Sequence, residues 1–103
     1  MRLSPAQITL LRSAAARRFG AESLLWLFGS RVNDALLGGD VDLYLETSER
    51  NADQLVDSKL RFLADLHATP EFDGERIDLV IRSPLHGNEL PVHRVARAEG
   101  IRL

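Results

Sequence analysis

The chain has 103 residues and a formal net charge of −2, with 13 basic and 15 acidic side chains and no cysteine. That length and an apolar content of 45% suit one domain, residues 1–103, with a single core. The composition lacks the basic excess that drives non-specific nucleic-acid binding. Without cysteine there are no disulfides, thiolate nucleophiles or sulfur-based zinc sites. No apolar run nears the roughly 20 residues that span a bilayer, and Met1-Arg2 is not followed by a signal-peptide core, so a cytoplasmic protein with no membrane role is expected.

In chain order, "LSPAQITLLRSAAARRFG" carries a full set of helix signals. Ser4 caps, Pro5 suits the first turn, Gln7 completes a capping box, Leu3 staples against Ile8, and Gly20 provides the stop. "LLWLF", residues 24–28, is continuously apolar, as expected of a short central strand covered on both faces, with Trp26 in the core. Ser30 to Leu37 permits a short helix that ends at Gly38-Gly39.

"VDLYLE" alternates: Val41, Leu43 and Leu45 point one way, and Asp40, Asp42, Tyr44 and Glu46 the other. Residues 51–68 place Leu55, Val56, Leu60, Leu63 and Leu66 at helical spacing and predict the longest helix, closed by Pro70. "FDGE" is a turn, and "RIDLVI" is a second alternating strand with Ile77, Leu79 and Ile81 on one face and Asp78 and Val80 on the other. A last helix is expected from about Pro91 to Glu99, followed by an apolar end. The order α-β-α-β-α-β-α predicts an α/β (α+β) domain with a small mixed sheet flanked by helices.

The acids interrupt this pattern in an informative way. Period-two spacing sends Asp40 and Asp42 to one face, about 7 Å apart along the strand, where they can converge on cations. Hard divalent ions favour such oxygen ligands together with substrate phosphates, and a second ion at roughly 3.5–4 Å allows an attacking and a leaving oxygen to be stabilised together. Asp78 repeats the anomaly on the other alternating strand. If the two strands are neighbours, all three acids share a face, and their mutual repulsion is most easily understood with a cation present. Gly29-Ser30 supplies the complementary half: a Gly at a strand end permits close backbone approach, and the following helix N-terminus offers N–H groups to phosphate. Ser30 adds a hydroxyl and Arg31 a charge, although Arg31 is equally suited to pair with an acid such as Asp34.

Other metal and phosphate motifs fit less well. A calcium loop of the EF-hand kind fails because Tyr44 and Leu45 stand where an oxygen ligand and Gly are needed, and no Gly-Lys-Ser/Thr loop occurs. His67, His86 and His93 lack metal-ligand spacing and read as surface or helix-end residues. Glu46 reads as solvent-exposed at the rim, and Tyr44 either flanks the site or packs under a helix.

"GSRVNDALLGGDVDLYLE" followed by "IDLVI" resembles the signature of the minimal nucleotidyltransferases of the DNA polymerase beta superfamily, and the resemblance covers nearly the whole chain. It implies a polymerase-beta palm-like fold and transfer of a nucleoside monophosphate from ATP, or another nucleoside triphosphate, to an acceptor hydroxyl. Carried over by position, Gly29, Ser30 and Arg31 hold the triphosphate, Asp40 and Asp42 bind Mg²⁺ or Mn²⁺, and Asp78 completes the metal site and helps activate the acceptor. Many minimal members resemble the antitoxin of a toxin–antitoxin pair, with a small helical HEPN-type partner that some of them modify with AMP. A non-catalytic antitoxin that neutralises such a partner by contact is the alternative expectation. Val32 replaces the usual small residue after Gly-Ser-Arg, and "NDALL" lacks the Gly often found in that loop, which bears on loop geometry and nucleotide choice. A chain this short has no evident second domain to grip an acceptor, so the acceptor surface is expected from another chain or from a second copy, a homo-oligomer.

Overall fold

The first helix forms for the reasons its sequence suggests. In the computed structural model, which describes residues 3–29 and 40–103, α1 spans Pro5–Phe19. The Ser4 hydroxyl accepts from the Gln7 N–H (3.1 Å), and the Gln7 side chain accepts from the Ser4 N–H (2.9 Å). These bonds satisfy two of the donors that a helix start leaves orphaned. Gly20 ends the helix, its N–H donating to the Ala16 carbonyl.

Three strands and two helices follow: β1 (Leu24–Phe28), β2 (Val41–Glu46), α2 (Ala52–His67), β3 (Ile77–Arg82) and α3 (Pro91–Glu99). A two-residue strand, β4 (Ile101–Arg102), was not anticipated; the expectation was only an apolar end. It exists through pairing. Leu27 and Trp26 of β1 are opposite Ile101 and Arg102, and the Leu103 N–H donates to the Leu25 carbonyl. Gly100 makes the reversal out of α3 possible, because a Cβ there would overlap the carbonyl oxygens of Ala96 and Leu27. The helix proposed for residues 30–37 and its Gly38-Gly39 stop lie outside the described residues.

The sheet order is β3-β2-β1-β4, with β1 antiparallel to β2 and β4, and β2 parallel to β3. The expected small mixed sheet flanked by helices is therefore present. Alternation divides its faces. Leu25, Leu27, Val41, Leu43, Leu45, Ile77 and Leu79 pack with Leu11, Ala14 and Ala15 of α1 and Phe62 and Leu66 of α2. On the other face Trp26 and Tyr44 pack against Ala96 of α3. Burying each large apolar side chain of this kind contributes about 1.5–3 kcal/mol.

α2 is the longest helix, as expected, with Asn51 capping through its side chain. Its buried stripe is the expected one in part: Leu66 is buried and Leu63 packs on the core, but Val56 and Leu60 are 60% and 63% exposed and Ser58 and Phe62 face inward instead. Arg18 and Arg17 of α1 both bond the Asp65 carboxylate, Arg18 through two nitrogens, and the Phe19 ring meets Phe62 edge-on at 5.8 Å. These contacts set the helix rotation, and they favour burial of Ser58 and Phe62 over Val56 and Leu60.

No helix among the described residues is long and apolar enough to cross a membrane.

Candidate metal centre

Parallel pairing of β2 with β3 is what assembles the acids. The register sets Asp42 directly beside Asp78, one strand over. Side chains at matched positions of neighbouring strands leave the same face of the sheet, so both carboxylates project together. Asp40, immediately before β2, has the same parity as Asp42. One carboxylate oxygen from each of Asp40, Asp42 and Asp78 lies within 4.8 Å of the others, the three being half-buried, half-buried and exposed respectively. The sequence-predicted trio is thus brought to one place.

The electrostatics of the cluster are those of a site short of positive charge. Burial, and then the charges of Asp78 and Asp40, push the Asp42 carboxyl above the usual carboxylate range. Among the described residues the cluster has a counter-charge in Arg76, whose Nε is 3.9 Å from an Asp40 oxygen, a loose contact between side chains 80% and 37% exposed. Such a pair is worth little in water. Arg76 was not singled out from the sequence, yet period two from Asp78 places it on the acidic face and so carried the signal.

Gly29 stands against the cluster. It follows β1 with φ of 76°, a conformation L side chains rarely adopt, and a Cβ there would collide with an Asp42 carboxylate oxygen. The group that approaches the Gly29 backbone is thus the carboxylate of Asp42. Ser30 and Arg31, the other two residues expected to hold phosphate, lie outside the described residues.

Tyr44 and Glu46 share the acidic face but belong to a different arrangement. Tyr44 is fully buried between Trp26 (5.3 Å between ring centroids) and His93 (5.6 Å), so it packs under α3. Its hydroxyl donates to Glu46 at 2.5 Å, and burial together with that carboxylate pushes the phenol up to about 12. Glu46 also accepts from Arg97 (3.2 Å), so it is a half-buried member of an ion-pair cluster and not the solvent-exposed rim acid expected. Arg97, Arg82 and Arg94 converge on Glu89 in the same cluster.

The histidines divide. His67 is exposed at the end of α2, as expected. His93 is at a helix end but is 1% exposed, which corrects the surface reading: its Nδ1 accepts the Leu90 N–H (3.2 Å) at the start of α3. That is a capping contact placed beneath the helix.

An oxygen-only donor set of three convergent carboxylates, one of them resisting ionisation, fits a hard divalent cation such as Mg²⁺ or Mn²⁺. Compared with protein-family models, with curated proteins and with solved structures, the chain gives no match.

Proposed function

We propose that the protein is a Mg²⁺-dependent nucleotidyltransferase with a palm-like nucleotidyltransferase fold. In this reading it moves a nucleoside monophosphate, AMP from ATP, to an acceptor hydroxyl on a partner protein, in the setting of a toxin–antitoxin pair with a small helical HEPN-type partner. The observation that carries the reading is the convergence of Asp40, Asp42 and Asp78 on one face, two of them in direct lateral register. The sequence motif that joins Gly29-Ser30 to Asp-x-Asp gives it its direction.

Asp40, Asp42 and Asp78 are the residues that would hold the cation. When bound, a divalent ion supplies Lewis-acid charge to the phosphate oxygens and lowers the cost of ionising the acceptor hydroxyl. Asp78, the most exposed of the three, faces the acceptor and takes the hydroxyl proton. The acceptor oxygen bonds to the α-phosphorus as the bond from that phosphorus to the bridging oxygen breaks, and pyrophosphate leaves. Gly29 keeps the backbone thin where Asp42 must sit, and Arg76 adds positive charge at the rim beside Asp40.

The test is transfer of label from α-phosphate-labelled ATP with Mg²⁺ to proteins of the native host. Labelled acceptor and stoichiometric pyrophosphate are expected from the wild type, with a loss of at least ~100-fold in Asp42→Asn, the scale of removing one electrostatic stabiliser of a transition state. Unchanged transfer by Asp42→Asn overturns the assigned mechanism.

A second reading, contact neutralisation without catalysis, draws support from the exposed Leu90, Val92 and Val95 at and along α3. Apolar groups clustered on one helix are typical of a protein-binding face. Retained neutralisation by the double variant Asp40→Asn, Asp42→Asn favours this reading.

A further inference from the structure

β3 is a sheet edge. In the order β3-β2-β1-β4 it has β2 on one side and, among the described residues, no strand on the other. The ladder to β2 engages the even-numbered residues of β3: the Val41 N–H donates to the Arg76 carbonyl and the Thr47 N–H to the Arg82 carbonyl. Main-chain groups alternate sides along a strand, so those of Ile77, Leu79 and Ile81 point to the open side. This edge is six residues long and contains neither Pro nor Lys, two of the devices that keep natural edges from pairing.

The edge is also complementary to itself. Asp78, Val80 and Arg82 share one face, with opposite charges four residues apart. Laid antiparallel on a copy of itself about a two-fold axis at Val80, it sets Asp78 opposite Arg82 of the partner subunit. The outward-pointing Leu79 and Ile81 become the hydrogen-bonded pair. Moving the register by two residues either way sets a charge opposite valine, and by four it sets like charges opposite each other. Among the residues of β3 itself, the Val80-centred register is the one that matches opposite charges.

α2 supplies the apolar part of the same surface. Its Asp65 side is bound to α1, and α1 lies toward β1 and β4, where Ala15 and Ala16 line a cleft with Leu25 and Leu103. At about 100° per residue, Val56 falls on the flank of α2 opposite Asp65, turned away from α1, whereas Leu60 lies nearly opposite the buried Phe62, on the outer surface of the helix. They are 60% and 63% exposed. A two-fold axis perpendicular to the sheet brings the Val56 flank against its own copy on the same face of the joined sheet.

The geometry points to a homodimer formed edge to edge through β3, in which two four-stranded sheets become one of eight strands and the Val56 flanks of the two α2 helices face each other. The interface is isologous, as a two-fold dimer requires. It brings Arg82 of the partner subunit, which also bonds Glu89 within its own protomer, to the position opposite Asp78, at the margin of the acidic cluster. The dimer stands or falls without nucleotide or metal, so its failure leaves the proposed chemistry untouched.

The chain has no cysteine, so Val80→Cys introduces a single thiol per protomer, at the axis. Non-hydrogen-bonded antiparallel pairs bring Cα atoms to about 4.5 Å, within disulfide reach. Mild oxidation of Val80→Cys is expected to give a covalent dimer, whereas Ala21→Cys, in the turn after α1, stays uncrosslinked. Sedimentation velocity is expected to show a wild-type dimer, with a dissociation constant raised at least about tenfold in Val56→Asp, a change of about 1.4 kcal/mol. Because Val56 is exposed, that variant retains its fold, which far-UV circular dichroism checks. A wild-type monomer at 100 µM in EDTA, including one whose flank takes up a different protein, overturns the proposal. So does a dimer that forms no crosslink through Val80→Cys.

Discussion

The space beside the Gly29 Cα is filled by the carboxylate of Asp42, the residue at the centre of the acidic trio. Gly29→Ala therefore fails twice: it forces a side chain into a backbone with φ of 76° and drives Asp42 from its place beside Asp78. The expected cost is about 1–3 kcal/mol of stability, the scale of a strained backbone residue. Thermal denaturation should show a lowered Tm, and addition of Mn²⁺ should no longer raise it. A variant with wild-type Tm and an intact cation response contradicts this account of Gly29.

Tyr44 is the chain's only tyrosine, so its titration can be read from the ultraviolet absorbance of the whole protein. Burial and then the Glu46 carboxylate raise it from 10 to about 12. A phenol held protonated by the fold contributes stability below pH 10, and that contribution is lost as pH rises from 10 through about 12. The expected midpoint lies near 12 and drops in Glu46→Gln, which removes the neighbouring charge. A midpoint at 10 in the folded protein contradicts the buried placement.

Asp65 behaves in the opposite sense. The hydrogen bond from Arg18, with further help from Arg17, holds its carboxyl down at about 2 instead of 3.8. A depressed acid contributes stability that is full above pH 3.8 and lost as pH falls toward 2. Asp65→Asn should lower Tm at pH 7, and the gap from wild type should close between pH 4 and about 2. A gap that persists unchanged at pH 2 rules out this pairing as its source.

The rotation of α2 yields a third stability test. Phe62 is fully buried and Leu60 is 63% exposed. Phe62→Ala should cost about 3–5 kcal/mol, as large-to-small core changes do. Leu60→Ser, measured by urea denaturation at concentrations where the protein is monomeric, should stay within about 0.5 kcal/mol. Equal effects would mean that α2 is rotated differently.

These cases show where the fold was legible and where it was not. α1 could be read because Ser4, Pro5, Gln7 and Gly20 act on neighbours within one turn. β2 and β3 could be read because each has a face that must be apolar. The three acids were legible as anomalies on those faces, but whether they met depended on β2 and β3 being neighbours, which no local pattern states. β4 could not be read, because two residues form a strand only when β1 is there to pair with. Part of the α2 stripe was misjudged because Val56 and Leu60 match helical spacing as well as Phe62 does, and contacts with α1 decide between them. Tyr44 was left open between the site and a helix, and Glu46 read as solvent-exposed, because Trp26, His93 and Arg97, which hold them, come from other elements. Ser30 and Arg31 remain sequence expectations.

Mn²⁺ binding followed by electron paramagnetic resonance tests most directly the proposal that Asp40, Asp42 and Asp78 act as one cation site. The wild type should bind Mn²⁺ saturably, with Mg²⁺ competing. Asp42→Asn should weaken binding by at least about tenfold, equivalent to about 1.4 kcal/mol, while raising the Tm of the metal-free protein by removing a half-buried, mutually repelled charge. Absence of saturable binding in the wild type, or equal binding in Asp42→Asn, would contradict it.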